Sequence, residues 1–593
     1  MEGPSIVIGI DFGTTYSGIA YCVGGSIDDI QVISKWPGGG NRISVKVPSD
    51  ISYKGGKPLQ WGYQLGPFAE ACRGIKLLLE EDQEVKYTPS IESKAMLKKH
   101  KVNPQQAVTD YLKQVIKHAK RVLQRQLGVD AAQMNLHFVV TVPAMWSLKA
   151  KYMTLEASVG AGADGRNISV VTEPEAAALH ALRAVQPNTL AKNDIFIVCD
   201  AGGGTVDLIS YQIKKLEPLC LAEVTEGTGD VCGSVLLDGR FDALLRERMG
   251  EKAYTALSRK SEETAMTFWQ ERVKPNFMGD HDEDFSQVEH FIPVAGAADD
   301  FEALIEDGFF LLTKYVTACL TYQSQALMNY SDDIKDIFDP VIEDIEKLVD
   351  QQMSAVRGKG LSAKAIILVG GFGGSEYLFQ RLDKMNPGVT ILQPPNGLIA
   401  VASGAVQSEL GRNQIESRIA RRHYGTEMSI PYDRAIHSAE DPRKFWDSLE
   451  ETYKVGEQMR WFITKVSELG LPLAIHNRQL NQSSELSENR PIKMRFSKSV
   501  RVKNPEHLIF RSPLLFCNND NAPDVLNTGV LRLCEVEADL RQIPQTLFER
   551  KKNSQGVEYF YVPFTLAVTP TSASLIFELE FNGVSYGSVQ SKY

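Results

Sequence analysis

This 593-residue chain has no apolar run long enough to cross a bilayer, no C-x-x-C pair and no excess of basic charge. Each absence removes a class of protein. The most apolar window, FFLLTKYVTACLTYQSQALMNY (309–330), is interrupted by Lys314 and several hydroxyls. It falls short of the ~20 uninterrupted apolar residues that a spanning helix needs, so no membrane partner is expected. Eight scattered cysteines fit reduced intracellular thiols better than a disulfide framework or a zinc site. A net charge of −10 argues against a general nucleic-acid binder, which would carry a basic patch. The start, MEGPSIVIG, lacks a basic segment followed by a long apolar one, so no secretory leader is expected. No G-x-x-x-x-G-K-[ST] occurs, which excludes a P-loop. The cluster Gly370-Gly371-Phe372-Gly373-Gly374 fails the G-x-G-x-x-G spacing of a dinucleotide fold. A cytoplasmic, multidomain, monomeric protein of ordinary composition is the expectation, at a prior of ~150 residues per domain.

From Ile6 to Gly411 apolar strand-like runs alternate with helical stretches, the pattern of an α/β region. Strands are expected at Ile6–Ile10, Ile19–Val23, His137–Val142, Ile195–Val198, Leu208–Ile213 and Ala365–Val369. Pro104 to Leu127 reads as a helix, with Pro104 in the first turn and Val108, Leu112, Val115, Ala119 and Val122 at helical spacing. Residues 412–476 read as a partly helical connecting segment that includes FWDSLEETYKVGEQMRWFITKVSEL (445–469). NRQLNQSSELSENR (477–490) reads as a loop or boundary. The remainder of 477–593 reads as β-rich. Val562, Phe564, Leu566 and Val568 alternate, as do Leu575, Phe577, Leu579 and Phe581, and Asn582-Gly583 supplies a hairpin turn.

Two stretches share one design. IVIGIDFGTTYSGIAY (6–21) and IFIVCDAGGGTVDLISYQI (195–213) each run strand, aspartate, glycine, threonine, strand. A glycine turn lets backbone N–H groups converge on a phosphate, and threonine hydroxyls add donors. The aspartate would repel a phosphate unless Mg²⁺ lay between them. One such loop is a common turn; two suggest a duplicated domain closing on one nucleotide from both sides.

With the later strand-to-helix turn AIILVGGFGGSEYLFQRL (365–382), these loops resemble the actin-like ATPase superfamily, and within it the heat-shock-70 family in a divergent branch. VVTVPAMWS (139–147), VTEPEAAAL (171–179) and WQERVKPNF (269–277) resemble that family's connecting segments and adenosine helix, in order. The resemblance covers about residues 5 to 410. It implies a two-lobed, duplicated ribonuclease-H-like domain over 1–411, binding ATP or ADP, followed by a degenerate substrate-binding β-domain. Carried over to this sequence, Asp11 and Asp200 hold hydrated Mg²⁺. Gly13, Thr14, Thr15, Tyr16, Gly202, Gly203 and Thr205 grip the phosphates, and Gly233 adds a backbone contact. Glu173 and Asp200 orient the attacking water, Lys76 stabilises the charged transition state, and Asp207 sits beside a monovalent cation such as K⁺. Glu271 and Lys274 reach the ribose or adenine, with Gly370, Gly371 and Gly374 under the purine.

Plainer readings stand beside these. Lys76 could be a solvated charge, Glu173 a helix start, Glu271 and Lys274 a surface ion pair one turn apart, and the late glycines structural. The sequence also departs from the family. Pro275 stands where an arginine usually stacks on the base, which predicts altered adenine binding. No leucine-rich acidic linker follows the ATPase region, so coupling between nucleotide and client is not expected. The stretch 309–331 looks inserted. Two functions remain open: an ATP-hydrolysing chaperone with protein clients or co-chaperones, and a nucleotide-sensing adaptor with little turnover. A sugar or acid kinase of the same superfamily fits less well, because the threonine doublet and the β-rich tail favour the chaperone branch.

Overall fold

In the computed structural model both acidic loops join antiparallel strands. Ser5–Asp11 pairs with Tyr16–Val23, placing Asp11 opposite Gly18. Ile195–Ala201 pairs with Val206–Lys215, placing Asp200 opposite Asp207. These are the first and second hairpins below. The structure describes residues 5–66, 69–81, 87–128, 134–185, 190–279, 289–312, 333–411, 414–465, 485–487 and 490–592. It is a mixed α/β protein with several sheets.

Each hairpin continues into parallel strands in the same order. Beside Ser5–Asp11 runs Asn135–Val142, and beside that Ile168–Thr172. Beside Ile195–Ala201 runs Ala365–Val369, and beside that Thr390–Leu392. One topology is therefore built twice. Strands covered on both faces need apolar residues throughout rather than in alternation, which is why Ile6–Ile10 and Ala365–Val369 are unbroken apolar runs, buried nearly completely.

A helix follows the last parallel strand of each sheet: Glu173–Ala184 after Ile168–Thr172, and Ala400–Leu410 after Thr390–Leu392. Both are rich in alanine, and the reason is contact distance. A Cβ on Gly404 would fall 1.7 Å from the Ala176 carbonyl oxygen, and one on Gly9 2.3 Å from that of Ala402. The two helices thus meet backbone to backbone beneath the first hairpin. The long helix Pro104–Leu127 packs on the first sheet with Val108, Leu112, Val115 and Ala119 buried. Asn103 caps its start by accepting from Gln106 N–H, and Gly128, at φ 65°, closes it. Each of these valine and leucine side chains contributes about 1.5–3 kcal/mol over an exposed one.

The chain divides into two compact units, residues 1–216 with 227–412, and residues 217–226 with 413–593. The second unit is built of strands. Lys444–Asp447, Thr452–Ile463, His423–Pro431, Ile509–Cys517 and Val530–Asp539 form one sheet in that order. Ile492–Arg501, Glu558–Pro570, Leu575–Phe581 and Val584–Ser588 form another. Leu575, Phe577, Leu579 and Phe581 are buried on alternate positions, and Asn582-Gly583 turns with both φ positive, 48° and 81°.

One expectation is corrected here. The stretch around 445–463 is not helical but two strands, Lys444–Asp447 and Thr452–Ile463. Its buried Val455 and Met459 are four residues apart, which imitates a helical face. Four is also an even number of strand residues, so the same spacing suits one face of a strand. A bulge accommodates one extra residue near Glu457, at φ 56°: Gln458 faces Met428 while Val455 faces Ile430. Of the 309–331 stretch, only Phe309–Leu312 is described, as a strand paired with His290–Pro293; the rest lies outside the described residues. So does most of the 477–490 boundary.

Candidate functional site

The tips of the two hairpins meet. A Cβ on Gly203 would lie 2.3 Å from Thr15 Oγ1, and one on Gly204 2.5 Å from Thr14 Oγ1. Those glycines are required by the approach of the threonine pair, since any larger residue would drive the loops apart. Within the second loop the Gly202 N–H donates to the Thr205 carbonyl at 3.0 Å. The carbonyls of Gly202, Gly203 and Gly204 accept from Ser234, Val235 and Gly233, at the start of helix Val235–Met249. A Cβ on Gly233 would sit 2.4 Å from the Gly203 oxygen, so this residue locks the loop from behind.

Both loops open on one cavity of about 600 Å³. Asp11, Gly13, Thr14, Thr15, Tyr16, Lys76, Glu173, Asp200, Gly202, Gly203, Thr205, Lys274, Gly370 and Gly371 all line it. Four predicted residues do not. Asp207 is buried, with its Oδ1 accepting from the Met145 N–H at 3.2 Å. Gly233 stands behind the loop, and Glu271 is exposed. Gly374 lines an adjoining cavity of about 480 Å³, which shares Ser234, Lys274, Gly370, Gly371 and Leu398 with the first.

The cavity wall is crowded with charge. Asp11, Asp200 and Glu173 are 4%, 7% and 7% exposed, and Lys76 only 2%. Lys76 Nζ donates to Glu173 Oε1 at 2.5 Å, and Lys46 Nζ to Asp11 Oδ2 at 2.8 Å. Burial lifts Glu173 from 4.5 to about 7, with Asp11 and Asp207 adding to it against the pull of Lys76. Burial also lifts Asp200 well above the usual carboxylate range, reinforced by Glu173, Asp11 and Asp207. Burial alone would lower Lys46, but Asp11, then Asp200 and Glu173, hold it above the usual lysine value.

On the far side of the cavity Asp238 gathers three donors. Its carboxylate accepts from Lys274 Nζ at 2.7 Å, Trp269 Nε1 at 3.0 Å and Gln270 Nε2 at 2.9 Å. The helix Arg259–Phe268 loosens into a wide turn, Trp269–Val273, and then a tight one, Lys274–Asn276, at Pro275. Proline removes a backbone donor there, so the regular helix cannot continue. Gly370, at φ 84°, presses on the other side, where a Cβ would fall 2.5 Å from Asp200 Oδ1.

Sequence reading missed Lys46, Asp50, Arg73, Asp238 and Gln270, all of which line the cavity. Lys46 lies in a three-residue strand, Lys46–Pro48, too short to announce itself, and its partner is distant in sequence. Asp238 carried the one available signal, an acidic residue in the first turn after Gly233-Ser234.

Among the described residues, no group of three or more histidine, cysteine, aspartate or glutamate side chains stands ready to hold a metal ion unaided. Two buried carboxylates beside a glycine–threonine cradle are nevertheless a hard oxygen donor set. Waters and phosphate oxygens would complete such a shell around Mg²⁺, so the residues present fit a magnesium nucleotide.

A mixed α/β fold with two acidic hairpins on one cavity is consistent with a relative of the actin-like ATPases. Comparison with curated proteins narrows the class. The chain is 26% identical over 313 residues to Heat shock 70 kDa protein 12A of Mus musculus, covering 42% of this chain and 46% of that protein. It is 24% identical over 321 residues to Heat shock 70 kDa protein 12B of Homo sapiens, 43% and 47% respectively. To Heat shock 70 kDa protein 13 of Homo sapiens it is 29% identical over 221 residues, 34% and 43%. This chain therefore resembles the divergent branch of the heat-shock-70 proteins, and it spans about half the length of the curated relatives it matches. No family model matches it. No described helix is long and apolar enough to cross a membrane, and the described cysteines form no disulfide.

Proposed function

We propose that the chain binds a magnesium adenine nucleotide in this cavity, between two lobes built on the two sheets, and hydrolyses ATP slowly. The observation that carries the reading is the meeting of Thr14 and Thr15 with Gly203 and Gly204, with Asp11 and Asp200 on the same cavity wall. Backbone amides and hydroxyls at the loop tips suit phosphate oxygens. Asp11 and Asp200 would hold Mg²⁺, which when bound neutralises charge on the phosphate oxygens. Glu173, already lifted towards neutrality, suits a group that orients a water and accepts its proton. Lys76 fixes that carboxylate and faces the same cavity. Lys274, held by Asp238, stands where the two cavities join, and the Gly370–Gly374 turn lines the second, which suits a flat base.

The chaperone reading adds protein clients bound by the strand-built second unit. The adaptor reading has one specific observation in its favour. Lys76 and Glu173, the pair assigned to the chemistry, neutralise each other at 2.5 Å, and Pro275 replaces the stacking cation. Slow turnover follows from both. Phosphate release measured with and without an unfolded client separates the two: stimulation supports the chaperone, and binding without stimulation supports the adaptor. An absence of any ATP binding would sink both.

A further inference from the structure

The cation that touches Asp11 is one the two-aspartate arrangement does not require. Lys46 lies opposite Gly18 across the antiparallel pairing of Lys46–Pro48 with Tyr16–Val23, and Gly18 in turn lies opposite Asp11. The lysine therefore reaches over a neighbouring strand to its partner. Its stem runs directly over Gly18: a Cβ there would stand at ordinary contact distance, 3.6 Å from Lys46 Cγ and 3.8 Å from Cε. The backbone beneath is pinned, since the Lys46 carbonyl accepts from Ser44 Oγ at 2.8 Å and from the Tyr63 hydroxyl at 3.1 Å. The side chain is four-fifths buried, its ammonium 2.8 Å from Asp11, and it lines the cavity with the loop tips.

The wall is acidic even with this lysine in place. Lys76 answers Glu173 and Lys46 answers Asp11, while no hydrogen bond to the Asp200 carboxylate is formed among the described residues. A triphosphate entering this wall brings further negative charge, and a positioned ammonium stabilises phosphate oxygens as a point charge.

We propose that Lys46 is a phosphate-binding residue of this cavity, a resident cation that bridges Asp11 and the terminal phosphates and lessens the dependence of nucleotide binding on Mg²⁺. This rests on the nucleotide reading above. A lysine extended over a glycine into an acidic wall, rather than out to solvent, is a built feature of the site.

The test is titration of a fluorescent ATP analogue into the full chain, with Mg²⁺ and again in EDTA, for the natural protein, Lys46→Met and Lys46→Arg. The natural protein is expected to keep measurable affinity in EDTA. Lys46→Met is expected to weaken the EDTA affinity about tenfold or more and the Mg²⁺ affinity less, as loss of a charge-assisted contact would. Lys46→Arg is expected to retain most of the EDTA affinity. Equal EDTA affinity for Lys46→Met and the natural protein, with the fold intact by circular dichroism, overturns the inference. So does a natural protein that binds only with Mg²⁺, an outcome that leaves the nucleotide reading standing. Failure to bind under either condition removes the nucleotide reading and this inference together. Should Lys46→Met not fold, Lys46→Arg decides: a folded variant without EDTA affinity overturns the role of the charge.

Discussion

Thr15 Oγ1 lies 2.3 Å from the place a Cβ on Gly203 would occupy, so the two acidic hairpins touch at their tips. These residues are far apart in sequence and belong to different sheets. Their contact turns two ordinary glycine turns into one concave surface, with Asp11 and Asp200 both facing the enclosed space.

Gly203→Val should separate the loops and weaken Mg-ATP binding at least tenfold while leaving the far-ultraviolet circular dichroism unchanged. Combining Gly203→Ala with Thr15→Ala should recover part of what Gly203→Ala loses, because the clash needs both side chains. Calorimetric titration of the single and double variants checks this; strictly additive losses would count against a direct contact.

Lys76 and Glu173 form a buried pair at 2.5 Å. Removing one partner leaves an uncompensated buried charge, so Lys76→Met should cost about 3–5 kcal/mol in urea unfolding, and Lys76→Met with Glu173→Leu should recover much of it. A Lys76→Met variant as stable as the natural protein would place the lysine in solvent, as the plainer sequence reading had it.

Glu173 also predicts a pH dependence. Burial raises it from 4.5 to about 7, so the folded protein holds this proton more tightly than the unfolded chain does. That contribution to stability is complete below pH 4.5 and is lost as the pH rises through about 7. Glu173→Gln should therefore flatten the fall in unfolding midpoint across that window. Identical slopes for the two proteins would show that Glu173 is not the titrating group.

Gly404→Ala tests the helix contact that supports the first hairpin. With a Cβ 1.7 Å from the Ala176 oxygen, the helices must move apart. The expected loss is about 1–3 kcal/mol or more, read as a lowered thermal midpoint.

Much of this was legible in the sequence for identifiable reasons. Strands buried on both faces must be apolar throughout, so Ile6–Ile10 and Ile195–Val198 declared themselves, and Pro104 with the helical spacing of Val108, Leu112, Val115 and Ala119 marked the long helix. Asn582-Gly583 fixed a turn because few other pairs take two positive φ angles. The strand Thr452–Ile463 is hard to tell from a helix because its buried Val455 and Met459 stand four apart, a spacing that one face of a strand and one face of a helix share. Lys46 was invisible because its contact with Asp11 depends on pairing between strands separated in the chain. Asp207 and Asp200 are the same residue type facing each other on one rung, yet only Asp200 lines the cavity; that difference depends on which distant segments close around each carboxylate, and the local sequence does not show it.

Whether both hairpins hold a single ligand is read out by amide hydrogen exchange during titration with Mg-ATP. Gly13–Tyr16 and Gly202–Thr205 are expected to slow together and saturate at the same nucleotide concentration. Protection of one loop alone, or of neither, would contradict a shared ligand.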